Sequence, residues 1–213
     1  TNAAGKTSGS LTIAAPSDDV HRDADLLTVR MTDASGGNFE KLDVSNAPVT
    51  TFVFDTINTT LLSLSASNTV SEGGQITYTA TLTNPTDTAM TVKLSNGAII
   101  NIAAGAASGS VNFAAPADTP YTDGGKVAAI IVGHSGGNFE NVAVNYLPAV
   151  TTVTDTADTT GLSLSATSTV AEGGSIVYTA TLTNAAGTAM NVTLSNGAVI
   201  HIAKGALTGS VNY

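Results

Sequence analysis

The sequence predicts an all-β protein made of tandem β-sandwich repeats. Three observations indicate this fold: apolar residues alternate with threonine and serine, turn residues separate short apolar runs, and the pattern recurs after 100 residues. The clearest alternation is QITYTATLT at 75–83, whose apolar members are Ile76, Tyr78, Ala80 and Leu82. Because a period of two places these side chains on one face, the segment is predicted to be a half-buried strand.

The repeat divides the chain into three segments. Residues 61–113 and 161–213 are identical at 36 of 53 positions when aligned without a gap. The first repeat segment, 1–58, is the C-terminal part of one repeat, and the complete repeat is 59–158. The third repeat segment, 159–213, is the N-terminal part of the next. A unit of 100 residues can bury its own core, so the sequence predicts separate domains in a row rather than a solenoid.

Each repeat is expected to contain about seven short strands. The candidate strands of the complete repeat are 62–66, 75–83, 89–94, 98–103, 109–114, 126–132, 141–145 and 149–154. Glycine, asparagine and proline pairs separate them, as at Asn84 and Pro85 or Asn96 and Gly97. Strands of this length and spacing, without helical periodicity, are typical of an immunoglobulin-like sandwich.

Composition excludes several classes of function. The net charge is −9 and the seven Lys and Arg residues do not cluster, which argues against a nucleic-acid partner. There is no cysteine, so any cross-link must come from another source such as a metal. No apolar run reaches about 18 residues, so no membrane insertion is expected in this segment. The sequence opens within the repeat pattern, and we expect its true start to lie upstream.

Carboxylates recur at strand ends and in the connectors between repeats. In the complete repeat, Glu72 follows an early strand, Asp118 and Asp123 share a loop, and Asp155 and Asp158 form the connector. In a sandwich these positions can gather at one pole, where carboxylates repel one another unless a cation lies among them. Oxygen ligands without His or Cys favour Ca²⁺.

The acidic pattern recurs in the neighbouring segments. The equivalent candidate ligands are Asp18, Asp23, Asp55 and Asn58 in the first repeat segment and Glu172 in the third. With these residues the sequence predicts a Ca²⁺-binding protein. The alternative is that they are ordinary turn and strand-end residues, because Asp and Asn favour turns in any protein.

The segments SEGG, LSNG, GGNFE and DTxDTT resemble the extender repeats of giant bacterial biofilm adhesins, the LapA-like, RTX-type adhesins exported by type I secretion. This resemblance covers essentially the whole chain and implies an extracellular stalk at the bacterial cell surface, rigidified by calcium, that projects adhesive domains. In outline the chain is also similar to Calx-β domains, although it ends in DTAD rather than in consecutive aspartates. By that likeness the ligands are Glu72, Asp118, Asp123, Asp155 and Asp158.

Other functions are less well supported. A peptide- or carbohydrate-binding module of an adhesin is the alternative. However, with 5% aromatic residues and no Trp, the chain has few aromatic side chains on which a sugar ring could stack. An ice-binding surface is disfavoured because the threonine rows do not form a flat lattice. No enzyme is expected: GHSGG at 133–137 matches the nucleophile-elbow pattern around Ser135, but that elbow needs a strand, a turn and a helix. Here we expect a glycine loop leading to another strand.

Two phenylalanines and three histidines are expected to have structural roles rather than to bind a ligand or a metal. Phe39 and Phe139, each in a GGNFE segment, are predicted to plug the end of a sandwich. His21, His134 and His201 occupy non-equivalent repeat positions, so we expect surface or loop residues rather than metal ligands.

The expected partners are neighbouring repeats of the same chain. The first and third repeat segments are complementary parts of one domain, and an isolated part leaves unpaired strand edges. Head-to-tail self-association through these split repeats is therefore a further expectation.

Overall fold

The computed structural model describes residues 5–213, and the protein is all-β, as the sequence predicts. Within these residues there is no helix, and the strands follow one another along the chain. They are β1 (Asp25–Val29), β2 (Val49–Val53), β3 (Thr59–Ala66), β4 (Thr69–Ser71), β5 (Gln75–Leu82), β6 (Met90–Leu94), β7 (Ile99–Ile102), β8 (Ser108–Ala114), β9 (Gly125–Ala129), β10 (Ile131–Gly136), β11 (Asn141–Val144), β12 (Ala149–Thr154), β13 (Leu162–Ala166), β14 (Val177–Leu182), β15 (Met190–Thr193), β16 (Val199–Ile202) and β17 (Thr208–Asn212).

The strands form small sheets, as expected for β-sandwich repeats. The sheets in the complete repeat have the orders β11-β3-β5-β8, β10-β6-β7 and β4-β12-β9. The third repeat segment contains β13-β14-β17 and β15-β16, and the first contains the β1-β2 pair. Two compact units are present among the described residues. The first unit comprises 5–65, 77–111 and 129–149, and the second comprises 66–76, 112–128 and 150–213.

The core of the first unit follows the alternation of the sequence. On β5, Tyr78, Ala80 and Leu82 are buried and Thr81 is exposed. Strands β6 and β7 pair antiparallel and bury alternate residues in the same way. Their buried side chains are Met90, Val92, Leu94, Ile100 and Ile102. Burial of these aliphatic side chains stabilises the fold by roughly 1.5–3 kcal/mol each.

The second unit has a core of the same kind in the third repeat segment. Its buried members are Ala180, Leu182, Ala186, Ile200 and Ile202, with β15 and β17 side chains packed against them. Antiparallel pairing joins β14 to β13 and β17, and joins β15 to β16. The second unit also contains most of the β4-β12-β9 sheet, where β4 and β12 run parallel.

One predicted strand is divided in two. The sequence predicts a single strand at 126–132, but β9 ends at Ala129 and β10 begins at Ile131. The amide of Ile130 donates to Ser95 Oγ, and its carbonyl accepts from the Ser95 amide, so this residue binds a turn rather than a sheet neighbour. The expected glycine loop at GHSGG is also wrong, because β10 continues to Gly136 and pairs with β6.

The two GGNFE segments differ in burial. Phe139 is buried, as expected for a plug, whereas Phe39 is 66% exposed. The prediction is wrong for Phe39 because residues 30–48 form no strand in the structure, so no sandwich end surrounds the ring.

Candidate metal centre

Glu72 is held against the end of β12 by the sheet. Parallel pairing of β4 with β12 places Ser71 opposite Thr154, and Glu72 comes directly after β4. The Glu72 amide then donates to the Thr154 carbonyl oxygen at 3.0 Å. Because Asp155 follows Thr154, this pairing brings the two carboxylates to the same sheet edge.

Backbone hydrogen bonds hold the 115–124 loop beside the Glu72 turn. The Gly73 amide donates to the Pro116 carbonyl at 2.7 Å, and the Ala115 amide donates to the Gly74 carbonyl at 2.9 Å. Asp118 lies at this contact, and its Oδ1 accepts a hydrogen bond from the Thr156 hydroxyl. The loop therefore carries its aspartates to the turn and the connector.

A close backbone approach positions Asp123. A Cβ placed on Gly124 would lie 2.9 Å from the Asp155 nitrogen and 3.1 Å from the Val153 oxygen. Such contacts are too short for a side chain, so glycine lets the loop pass directly against the end of β12. Asp123, one residue earlier, is thereby placed next to Asp155.

Glu72, Asp123 and Asp155 form the carboxylate cluster. One oxygen from each lies within 4.8 Å of the others. Asp123 and Asp155 are exposed, but Glu72 is only 7% exposed. Among the described residues, Glu72 Oε2 has no hydrogen-bond partner. A buried carboxylate oxygen without a donor is costly, so the arrangement favours a cation or a proton at this point.

The pKa of Glu72 also indicates that the cluster favours a bound cation or proton. Burial is the largest cause that raises the pKa of Glu72 to about 7, followed by its hydrogen bond with Asp123 and by nearby negative charge. That charge comes from Asp123, Asp155 and Asp118. Without a cation, the cluster therefore retains a proton well above the ordinary range of a glutamate. A metal ion could replace this proton.

The acidic residues of the first repeat segment form a separate group in the first unit. Asp18 accepts hydrogen bonds from the Thr56 hydroxyl and, at 2.8 Å, from Asn58 Nδ2, and these donors lower its pKa. The amide of Asp23 donates to Asp55 Oδ2 at 3.1 Å. Side-chain hydrogen bonding with Asp55 is the largest cause that raises the pKa of Asp23.

Glu140 joins this first group, although the sequence analysis did not select it. Its Oε2 accepts a 2.5 Å hydrogen bond from the Asn58 amide, and its charge also raises the pKa of Asp23. Glu140 belongs to the complete repeat, whereas Asp23 and Asp55 belong to the first repeat segment. The signal that could have identified it is the recurrence of GGNFE, which places an acidic residue at the same position of each repeat.

The remaining candidate ligands are placed differently. Asp158 and Glu172 are exposed and are not members of the carboxylate cluster. Asn58 directs its amide nitrogen at Asp18 and at the Asp19 carbonyl, so its side chain acts as a hydrogen-bond donor.

The histidines and Ser135 lie outside the carboxylate cluster. His134 and His201 are exposed, and His21 is half-buried against Phe139. Ser135 lies within β10, opposite Thr91, so it is not at a strand-to-helix elbow.

A known protein family matches the chain along nearly its whole length. The LapA domain matches residues 1–56, 58–156 and 158–213. No curated protein matches the chain. Among residues 5–213, no helix has the length and apolar character needed to cross a membrane. The three matched segments together span nearly the whole sequence, and the chain therefore belongs to the LapA domain family.

Proposed function

We propose that this chain is an extender segment of a large secreted bacterial adhesin, in which Ca²⁺ stiffens the joints between successive repeats. The LapA domain links the chain to biofilm adhesins, and this family is structural and implies a cell-surface or extracellular protein. In this role the repeats are spacers. They project adhesive domains from the cell for attachment and biofilm formation.

The carboxylate cluster carries the proposal. Glu72, Asp123 and Asp155 supply three carboxylates, and the buried Glu72 Oε2 lacks a donor in the described part of the chain. Asp118 lies close enough for its charge to act on Glu72. Ca²⁺ takes six to eight oxygen ligands in irregular loops, whereas Mg²⁺ needs a near-ideal octahedron and Zn²⁺ favours His and Cys. An all-carboxylate site at loop ends, with Asp123 and Asp155 exposed and Glu72 buried, favours Ca²⁺.

Such an ion would stiffen the chain because its ligands come from separate parts of the repeat. Glu72 follows β4, Asp123 lies in the loop before β9, and Asp155 begins the connector. Binding all three to one ion would fix the connector to the sandwich. In the first unit, the Asn58 amide and Glu140 join a connector to the following repeat in a related way.

Calcium dependence would suit a secreted protein. Extracellular modules bind Ca²⁺ with dissociation constants of about 10⁻⁴ to 10⁻³ M, and cytosolic calcium is far lower. The repeats would therefore be less stable before export and would gain stability outside the cell, which would suit the type I secretion implied by the resemblance to RTX-type adhesins. At free calcium about 100 times the dissociation constant, one site adds roughly 2.7 kcal/mol.

A peptide- or carbohydrate-binding role is the second candidate. Phe52 and Phe54 are exposed, with ring centroids 4.4 Å apart in an edge-on arrangement, beside Asp55. Their equivalents in the complete repeat are Thr152 and Thr154. The aromatic pair does not recur in the next repeat, whereas the carboxylates do. This difference favours the extender role over the binding role.

Thermal unfolding of the full chain in EGTA and in millimolar CaCl₂ tests the proposal. We expect calcium to raise the Tm by about 5–10 °C. Glu72→Gln should abolish most of this rise, because it removes the buried ligand. Glu172→Gln is the matched control, since Glu172 is the repeat equivalent of Glu72 but lies outside the cluster. Equal Tm values with and without calcium in the unmodified protein would reject a calcium-stabilised extender.

A further inference from the structure

A contact between consecutive repeats occurs twice in the chain and uses no carboxylate. The Tyr121 hydroxyl, in the loop before β9, donates a 2.9 Å hydrogen bond to the carbonyl of Ala185 in the following repeat. One repeat earlier, His21 Nε2 lies 3.1 Å from the carbonyl oxygen of Pro85. His21 and Tyr121 are equivalent, and so are Pro85 and Ala185. The same position therefore reaches the same turn in both joints.

The receiving turn is shaped to the tyrosine ring. A Cβ on Gly187 would lie 2.8 Å from Cδ1 and 3.0 Å from Cε1 of Tyr121. The φ angle of Gly187 is not in the left-handed region, so its own backbone does not require glycine. What excludes a side chain here is the ring of the preceding repeat. At the equivalent position, where the ring is the smaller His21, the chain has Asp87.

Around His21 the contact is more extensive. The imidazole stacks on Phe139, with centroids 5.2 Å apart and planes inclined at 24°. Backbone hydrogen bonds flank the stack: the Arg22 amide donates to the Asn138 carbonyl at 3.0 Å, and the Glu140 amide donates to the Val20 carbonyl at 3.1 Å. The segment around residue 21 thus adds to the end of the next repeat by direct backbone pairing.

We propose that the aromatic residue at position 21 or 121 is a latch that docks onto the 85–87 or 185–187 turn of the following repeat and fixes the joint without a metal. The occupant of this turn is the preceding repeat of the same chain. In the second joint the turn is matched to the ring, because Gly187 leaves room for Tyr121. The contacts of the latch with the following repeat use none of Glu72, Asp123 and Asp155, so the latch can be tested in the absence of calcium.

The test measures how rigidly two consecutive repeats are joined. It uses the full chain in EGTA, so that calcium cannot contribute. Spin labels on Thr69→Cys and Ser195→Cys report the distance between two consecutive repeats by pulsed electron paramagnetic resonance. Both positions are exposed, both lie in the second unit with Tyr121, and the chain has no cysteine of its own. We expect a narrow distance distribution in the otherwise unmodified protein. Tyr121→Ala should broaden it toward that of a free linker, and Tyr121→Phe should broaden it less.

Gly187→Ala tests the match between ring and turn. We expect it to broaden the distribution, because the added methyl displaces the ring, and to have little further effect in the Tyr121→Ala background. Tyr146→Ala, which removes a 65% exposed tyrosine of the same repeat, should leave the distribution narrow. Unchanged circular-dichroism melting of each variant would show that the domains stay folded. A broad distribution in the unmodified protein, or a narrow one in Tyr121→Ala, would overturn the latch without bearing on calcium binding.

Discussion

The Glu72 amide donates a 3.0 Å hydrogen bond to the Thr154 carbonyl, so the carboxylate of Glu72 is brought to the connector by backbone pairing. A side chain positioned in this way does not need a metal to find its place. The site is preorganised, and a preorganised site loses less conformational freedom when an ion binds. Substitution of the carboxylate should therefore change the chemistry of the site and leave the sheet intact.

Glu72→Gln is expected to act in opposite directions with and without calcium. In EGTA at pH 8 it should raise the Tm, because it removes a buried negative charge that faces Asp123 and Asp155. In calcium it should lower the Tm relative to the unmodified protein, because a ligand is lost. Differential scanning calorimetry in both buffers checks the crossover. A variant that is less stable in both buffers would show that Glu72 has a purely structural role.

The stability of the calcium-free protein should depend on pH through Glu72. Its folded-state pKa of about 7 lies above the ordinary value of 4.5, so the folded state binds the proton more tightly than the unfolded state does. The free energy of unfolding is therefore expected to fall as pH rises from about 4.5 to 7, and then to level off. Asp18, whose pKa is lowered, contributes stability that is lost only below its ordinary value of 3.8.

Urea unfolding in EGTA across this pH range measures the effect. Comparison with Glu72→Gln isolates Glu72 from other groups, including Asp23, whose pKa is also raised. The difference between the two proteins should grow through the window. A constant difference from pH 4 to 8 would contradict the raised pKa.

The sequence was sufficient for most strands of the complete repeat, although not for the short β4, and only partly sufficient for the site. Alternation in QITYTATLT predicted which side of β5 is buried, because strand geometry translates a period of two directly into a face. The division between β9 and β10 was not predictable, since it depends on a hydrogen bond from Ile130 to Ser95, 35 residues away. Local apolar pattern contains no information about such a contact.

The same distinction applies to the acidic residues. Asp155 directly follows β12, so the strand sets its position, whereas Asp158 lies three residues further along a connector without regular structure. Both have the same side chain in the same DTAD motif, and only the fold separates them. Glu140 was missed for the opposite reason. It lies in a loop remote in sequence from Asp55, and only the contact between successive repeats brings it near.

Glu140→Ala should release the connector in the first unit. The substitution removes the carboxylate that accepts a hydrogen bond from the Asn58 amide, with a nitrogen–oxygen distance of 2.5 Å. Loss of such a bond costs about 1.5 kcal/mol or more, so exchange of this amide should be roughly tenfold faster. Hydrogen–deuterium exchange with mass spectrometry of peptides covering 55–60 reports it. Glu40→Ala is the matched control, because Glu40 is the exposed repeat equivalent. Unchanged exchange in Glu140→Ala would contradict the contact.

Gly136→Ala should destabilise the protein strongly for two reasons, backbone strain and a steric clash. Alanine substitutions at Gly36 and Gly133 separate these two causes. Gly136 has a φ of 83°, and a Cβ there would lie 2.2 Å from the Ala89 carbonyl oxygen. Gly36, its repeat equivalent, has a φ of 84° but nothing within 4 Å, and Gly133 has neither constraint. The left-handed backbone alone costs about 1–3 kcal/mol for a residue with a side chain.

Chemical denaturation of the three alanine variants should therefore rank them in one order. Gly133→Ala is expected to be nearly neutral, Gly36→Ala to lose at most the backbone cost, and Gly136→Ala to lose the most, because it adds a clash to the strain. This ranking would show that GHSGG contains glycine because the backbone must turn from β10 to the buried Phe139. The motif would then need no role for Ser135 as a nucleophile. If Gly136→Ala were as stable as Gly133→Ala, the close approach to Ala89 would be wrong, and the recurrence of SGG in both repeats would need another cause.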